Sequence, residues 1–150
     1  MARLLESVEV FQPAPAKAGE GADVLLVEND DSVRRCIAEM MGDAGLRVAE
    51  AASASEALAI MLPTATPAAV LVADLNLGCG MDGAELIAAL CDRVPSLRAV
   101  LISAGEVTQE KLDRCDAFLP KPFHGDDLIR TIKAVRGRQP GPGDRPAALH

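Results

Sequence analysis

The residues whose types could do chemistry together are Glu28, Asn29 and Asp30, then Asp74, Ser103 and Lys121. Asp74 offers a nucleophilic carboxylate. Glu28 and Asn29 offer oxygens to a hard cation, Ser103 a hydroxyl donor, and Lys121 a mobile positive charge. Phosphoryl transfer needs these parts: an in-line nucleophile, a divalent cation shared with the phosphate oxygens, and fixed donors for the remaining equatorial oxygens. Mg²⁺ suits such a set because it keeps several waters and takes only one or two protein carboxylates. Singly, each residue says little, since a carboxylate after a strand is ordinarily a helix cap. The chemistry exists only if the fold collects them.

The elements that must do so alternate between strand and helix five times. Val24-Leu25-Leu26-Val27 is a short apolar run of the kind buried on both faces of a parallel sheet. Val33, Ile37, Met40, Met41 and Ala44 then recur at helical spacing, with Asp30 or Asp31 to cap the start and Gly45 to end it. Leu46 to Ala49 is a weaker second strand. Ser53-x-x-Glu56 is a capping box opening a helix from Ala54 to Leu62, ended by Pro63. Ala69 to Ala73 is a third strand, and a helix follows from about Gly83 to Cys91. Ala99 to Ile102 is a fourth strand, succeeded by a short, poorly amphipathic helix near Thr108 to Arg114. Ala117 to Leu119 is a fifth strand, and Asp126 or Asp127 caps a last helix through Leu128, Ile129, Ile132 and Val135. Such alternation predicts an α/β fold, a parallel sheet covered on both faces. Its ligand site should lie beyond the carboxyl ends of the strands, where the strand order reverses. The chemical residues follow the strands: Glu28-Asn29-Asp30 the first, Asp74 the third, Ser103 the fourth, Lys121-Pro122 the fifth.

Composition narrows the function classes. The chain has 150 residues, room for one domain, and its 49% hydrophobic and 25% charged residues read as soluble and globular. Three Phe and no Tyr or Trp count against ligands held by ring stacking. A net charge of −7 without clustered Lys and Arg argues against nucleic acid. No apolar run is long enough to span a bilayer, and the N-terminus lacks the basic start and apolar core of a signal peptide. Cys36, Cys79, Cys91 and Cys115 form no CxxC pair and read as small apolar residues in a reducing, cytoplasmic setting. Residues 1–21 are expected to be a flexible extension and the Pro/Gly-rich residues 138–150 a disordered tail, leaving 22–137 as the domain. Neither end is long enough for an output domain, so a single-domain protein is expected.

Over roughly residues 22 to 137 the chain resembles the response-regulator receiver family. Val24-Leu25-Leu26-Val27-Glu28-Asn29-Asp30 is similar to that family's first strand with its acidic pair. Leu71-Val72-Ala73-Asp74-Leu75-Asn76-Leu77, followed by Met81-Asp82-Gly83, is similar to its phosphoacceptor strand and loop. Ile102-Ser103-Ala104 and Phe118-Leu119-Pro120-Lys121-Pro122-Phe123 match the fourth and fifth strand motifs. The resemblance implies a doubly wound (βα)5, flavodoxin-like three-layer sandwich with a five-stranded parallel sheet in the order 2-1-3-4-5. It implies Asp74 as the phosphoacceptor, and Ser103 and Lys121 as binders of phosphoryl oxygens. Phe118 would be the aromatic that swings inward on activation, and Pro122 would follow a cis peptide bond. Glu28, Asn29, Asp74 and the backbone carbonyl of Asn76 would hold Mg²⁺. The partners implied are a sensor histidine kinase or phosphotransfer protein and a downstream protein effector, with neither nucleic acid nor membrane; a phosphorylation-linked homodimer is compatible with it. Such a protein catalyses only its own phosphotransfer and autodephosphorylation and turns over no separate substrate.

Three departures from the family pattern matter. Position 29 is usually Asp, and Asn29 removes a formal charge that at ~4 Å and an effective dielectric near 20 is worth about 4 kcal/mol to a cation. The loop Leu77 to Gly83 lacks the usual Pro and is one residue longer. Gly105 stands where a larger side chain often covers the phosphoryl group. Asn29 also supports an alternative reading, a pseudo-receiver that binds proteins without phosphorylation. An aspartate-nucleophile phosphatase fails because Asn76 is an amide where a second carboxylate is needed. A flavodoxin-like carrier fails for want of a stacking ring. His124 is expected to be an exposed helix-start residue, and Cys79 has no flanking Lys, Arg or His to favour a thiolate. Lys121, at the mouth of the site, is expected to be replaceable by Ala with the fold largely intact.

Overall fold

A computed structural model describes residues 21–137. The extension and tail expected at the two ends lie outside the described residues, Gly21 apart. Among the described residues five strands and five helices alternate: β1 (Val24–Val27), α1 (Asp31–Asp43), β2 (Val48–Ala51), α2 (Ala54–Met61), β3 (Val70–Asp74), α3 (Gly83–Arg93), β4 (Arg98–Ser103), α4 (Gln109–Leu112), β5 (Ala117–Pro120) and α5 (Gly125–Arg136). All strand pairs are parallel, and the sheet order is β2-β1-β3-β4-β5. The doubly wound, flavodoxin-like sandwich expected from the sequence is therefore the fold.

Because side chains alternate along a strand, each central strand feeds two cores. Val24, Leu26, Val70, Val72, Val100 and Ile102 pack under α1 and α5, against Ile37, Met41, Leu128, Ile132 and Val135. Leu25, Val27, Leu71, Ala73, Ala99 and Leu101 face α2 and α3, against Ala57, Met61, Leu86, Ile87 and Leu90. Strands β1, β3 and β4 are buried at every position, as their near-continuous apolar sequences require.

The boundaries differ from expectation where backbone hydrogen bonds claim residues. The second strand lies two residues later than Leu46–Ala49. The N–H groups of Gly45 and Leu46 close the end of α1 on the carbonyls of Gly42 and Met41, so the chain joins the sheet only after them. Gly45 takes a φ of +88° there, the left-handed turn that ends a helix. Asp30, not Asp31, caps α1, its Oδ1 accepting from the N–H of Val33 at 3.0 Å. In α5 the capping position is the exposed His124, without a side-chain cap, and Asp126 and Asp127 lie inside the first turn, where the helix dipole favours them. Ser53 caps α2, but Glu56 reaches back to the N–H of Ala52, not Ser53. The complete capping box is at α3, formed by Asp82 and Glu85, which the sequence reading passed over. Helix α4 is a single turn capped by Thr108.

Candidate functional site

Strand register explains how the chemical residues meet. Val27 pairs with Ala73, so Glu28 and Asp74 emerge side by side at the carboxyl edge of the sheet. Asp74 is level with Ile102, and Ile102 with Leu119. Ser103 therefore stands one step beyond Asp74, and Lys121 two steps, or about 6–7 Å along its strand. A lysine side chain is long enough to reach back over that distance. The site sits between β1 and β3, where the winding of the sheet reverses.

Three side chains form its centre. The Nζ of Lys121 donates to Asp74 Oδ2 at 2.8 Å and to Glu28 Oε1 at 2.9 Å. Glu28 is 1% exposed and Asp74 6%. Both Glu28 oxygens are engaged, since Oε2 accepts from the N–H of Asp30 at 3.1 Å. The other Asp74 oxygen accepts from the N–H of Asn76 at 3.0 Å. Burial, then the adjoining Asp74 carboxyl, push the Glu28 carboxyl above its ordinary value, and Lys121 and the Asp30 N–H only partly counter this. For Lys121 burial alone would favour the neutral amine, but the two carboxylates prevail and raise it above an ordinary lysine. Two carboxylates so close and so buried need a cation between them. Lys121 stands at the mouth of the site with its side chain 22% exposed, and it bridges both acids.

The remaining predicted residues surround this centre at different distances. Asn29 is exposed, yet its amide turns toward the loop after Asp74, with Nδ2 3.6 Å from where a Gly78 Cβ would stand. Asp30 is committed to its capping bond, which leaves Asn29 as the member of the acidic segment facing that loop. Asn76 is exposed, and its side chain accepts from the N–H of Gly78 at 3.1 Å. Ser103 is buried, but its hydroxyl exchanges hydrogen bonds with the backbone of Gly105, at 3.1 and 3.3 Å, and is not turned to Asp74. Phe118 is half-buried against the core beneath α2 and α3. The Lys121–Pro122 bond is cis, and the N–H of Lys121 donates to the Ser103 carbonyl at 2.9 Å.

Three further supports of the site are visible in the structure, two of them at the Asp82-Gly83 pair of the loop motif. Gly83 donates its N–H to Leu75 O at 2.9 Å, folding the loop after Asp74 back on the strand. Lys111 of α4 meets Asp82 at 2.8 Å. Burial alone would raise the Asp82 carboxyl, but Lys111 and the N–H of Glu85 hold it below the ordinary value. Arg34 donates to the Glu28 carbonyl at 2.9 Å. The signal for Arg34 was an arginine three residues after a first-turn Asp31; nothing local signals the other two.

Among the described residues no helix is long and apolar enough to cross a membrane. The family profile for the response regulator receiver domain matches residues 24–133. The chain is 34% identical over 122 residues to Sensor kinase CckA of Brucella abortus, a match covering 79% of this chain and 13% of that protein. It is 30% identical over 135 residues to Response regulator Rre1 of Synechocystis, covering 83% of this chain and 56% of the relative. The chain thus spans only part of the length of these curated relatives. The receiver domain of NtrX from Brucella abortus superposes with a TM-score of 0.69 at 28% identity, covering 78% of this chain and all of that one (100%). The Vibrio cholerae chemotaxis protein CheY4 does so at 0.66 and 27%, covering 76% and 98%. With the sheet order, the strand-end cluster and the profile in agreement, the chain belongs to the response-regulator receiver domain family, whose members are modules of two-component signal transduction.

Proposed function

We propose that this chain is a phosphorylation-controlled switch that accepts a phosphoryl group on Asp74 from a sensor histidine kinase or a phosphotransfer protein, and then presents an altered face to a downstream protein. The observation that carries this reading is the buried Asp74 carboxylate, held by Lys121 at 2.8 Å beside buried Glu28. A carboxylate oxygen of Asp74 attacks the phosphorus, forming an O–P bond as the P–N bond to the donor imidazole breaks, and the imidazole carries away that bonding pair. The N–H of Asn76 and the ammonium of Lys121 hold the carboxylate in place and aimed. Lys121 then follows the new negative charge onto the phosphoryl oxygens, and Ser103 leaves Gly105 to donate a second hydrogen bond. Both movements pull on β4 and β5, to which Phe118 belongs, and so reach the surface made by α4, β5 and α5. The net charge of −7 favours protein partners over nucleic acid.

The donor set fits Mg²⁺. Glu28, Asp74, Asn29 and the Asn76 carbonyl all offer hard oxygens, and the contact of the Lys121 ammonium with both carboxylates supports their pairing with positive charge. When bound, Mg²⁺ would offset the charge on the phosphoryl oxygens.

Acetyl phosphate with Mg²⁺ should add one phosphate, about 80 Da, to the wild type and none to Asp74→Asn, read by intact-mass spectrometry at mildly acidic pH. Equal labelling of Asp74→Asn would assign the phosphate to another residue. No labelling of wild type by donor or kinase would leave a protein-binding module independent of phosphorylation.

Asn29→Asp should tighten Mg²⁺ binding about tenfold, less than the full worth of a charge because residue 29 is exposed. It should also lower the melting temperature in EDTA, because it adds a carboxylate beside Glu28 and Asp74. Titrating Mg²⁺ against both forms checks it; unchanged affinity would mean that residue 29 does not face the cation.

A further inference from the structure

Asn29 has no strand or helix to hold it, yet both peptide units beside it are fixed by side chains. On one side, the Glu28 carbonyl accepts from Arg34 Nη1 at 2.9 Å. On the other, the Asp30 N–H donates to Glu28 Oε2 at 3.1 Å. Rotation of either peptide would turn the residue 29 side chain away from the Asp74 loop. Rotation of the second would also break the bond to Glu28 Oε2, leaving that carboxylate to Lys121.

Arg34 can act as a rigid brace because all three of its donor groups are engaged by different elements. Nη2 meets Asp31 Oδ1 in the first turn of α1 at 2.7 Å, and Nε meets Glu50 Oε1 on β2 at 3.3 Å. Its side chain is 16% exposed. The planar fork of a guanidinium spreads its donors over three nitrogens and so reaches a strand, a helix start and a loop carbonyl at once, whereas an ammonium has only one nitrogen to place.

We propose that Arg34 is a positioning residue for the cation site, bracing the Glu28 carbonyl so that Glu28 and Asn29 present their oxygens together with Asp74. The inference rests on the reading of these residues as a Mg²⁺ site. It matters more here than with a carboxylate at position 29, because an amide attracts the cation too weakly to pull a loose loop into place.

The test titrates Mg²⁺ alone, by calorimetry and by the shift in melting temperature, against wild type, Arg34→Ala, Arg34→Lys and Val135→Ala. The last is a core truncation in α5, remote from the site, that matches for lost stability. Arg34→Ala should weaken Mg²⁺ binding about tenfold, the usual penalty for removing a partner that orients a ligand. Arg34→Lys should recover part of that loss, and Val135→Ala should bind as wild type does. If Arg34→Ala does not fold, Arg34→Lys and Glu50→Gln carry the test, each expected to bind a few-fold more weakly. Variants that lose melting temperature in EDTA but bind Mg²⁺ as wild type does would make Arg34 a structural residue only and overturn the proposal. Wild type that binds no Mg²⁺ would remove the cation reading itself, and the proposal with it. Phosphorylation by acetyl phosphate, measured separately, distinguishes failure of the switch from failure of the brace.

Discussion

Lys121→Met is expected to lose about 2–3 kcal/mol of unfolding free energy near neutral pH, and to regain much of it on acidification. The substitution keeps the side-chain volume and removes the ammonium that lies 2.8 Å from Asp74 and 2.9 Å from Glu28. Removing one partner of a buried ion pair costs about 3–5 kcal/mol when the remaining charge is stranded. Here the figure is smaller, because the lysine is partly exposed and because Glu28 can take up a proton. Glu28 already has a raised value in the folded protein, through burial first and the Asp74 carboxyl second. A carboxyl raised on folding contributes stability that is complete below its unfolded value and is lost as pH rises through the folded one. Without Lys121 that folded value moves higher, so the window of rising stability on acidification widens upward from the ordinary glutamate range. Lys121 itself, raised in the wild type, keeps its contribution until pH climbs above the ordinary lysine range and through its folded value. Denaturant unfolding of both proteins from mildly alkaline to mildly acidic pH measures the difference. Added Mg²⁺ should restore more melting temperature to the variant than to wild type, since a second cation can replace the lost one. A deficit that stays constant across the whole range would assign the loss to packing and not to charge.

Gly83→Ala should be at least as damaging, for a reason that has nothing to do with charge. A Cβ at Gly83 would stand 2.2 Å from the carbonyl oxygen of Asp74, 2.8 Å from its carbon and 3.0 Å from the Cα of Leu75. All three atoms are backbone, so no rotamer change relieves the clash. Either α3 lifts from the sheet or the end of β3 moves, and overpacking of this severity costs about 2–4 kcal/mol. The hydrogen bond from Gly83 to Leu75 would go with it. Since the displaced atoms belong to Asp74, phosphate uptake should fall beyond what the lower stability explains. Gly42→Ala is the control: it lies within α1, with nothing within 4 Å of the added methyl. It should stabilise by about 0.5–1 kcal/mol, as alanine does over glycine inside a helix. Unfolding curves for the two variants should therefore move in opposite directions. If Gly83→Ala unfolds like wild type, α3 does not approach β3 as closely as the structure has it.

Much of this could be read from the residues alone. Apolar runs such as Val24–Val27 and Val70–Ala73, alternating with helical patterns across short links, read as central parallel strands, and the helical spacing of Ile37, Met41, Leu128 and Ile132 shows which helix faces are apolar enough to cover them. Those local patterns determined the layer order, and with it the edge where Glu28, Asp74, Ser103 and Lys121 must emerge. The helix starts were less legible, because Asp30, Asp31, Asp126 and Asp127 are all competent caps and only the backbone decides which is used.

The tertiary structure alone decided the electrostatic centre and its supports. That Lys121 bridges Glu28 and Asp74 depends on the relative register of β1, β3, β4 and β5, which hydrogen bonds between strands set and no single segment encodes. The same holds for Arg34, whose partners come from a loop, a helix and a strand, and for Gly83, whose requirement is visible only in the approach of α3 to Asp74. Local sequence specifies which surfaces are apolar and where the chain turns. Which polar groups share a burial site follows only once the strands are side by side, because the cost of burying a charge depends on neighbours distant in the chain.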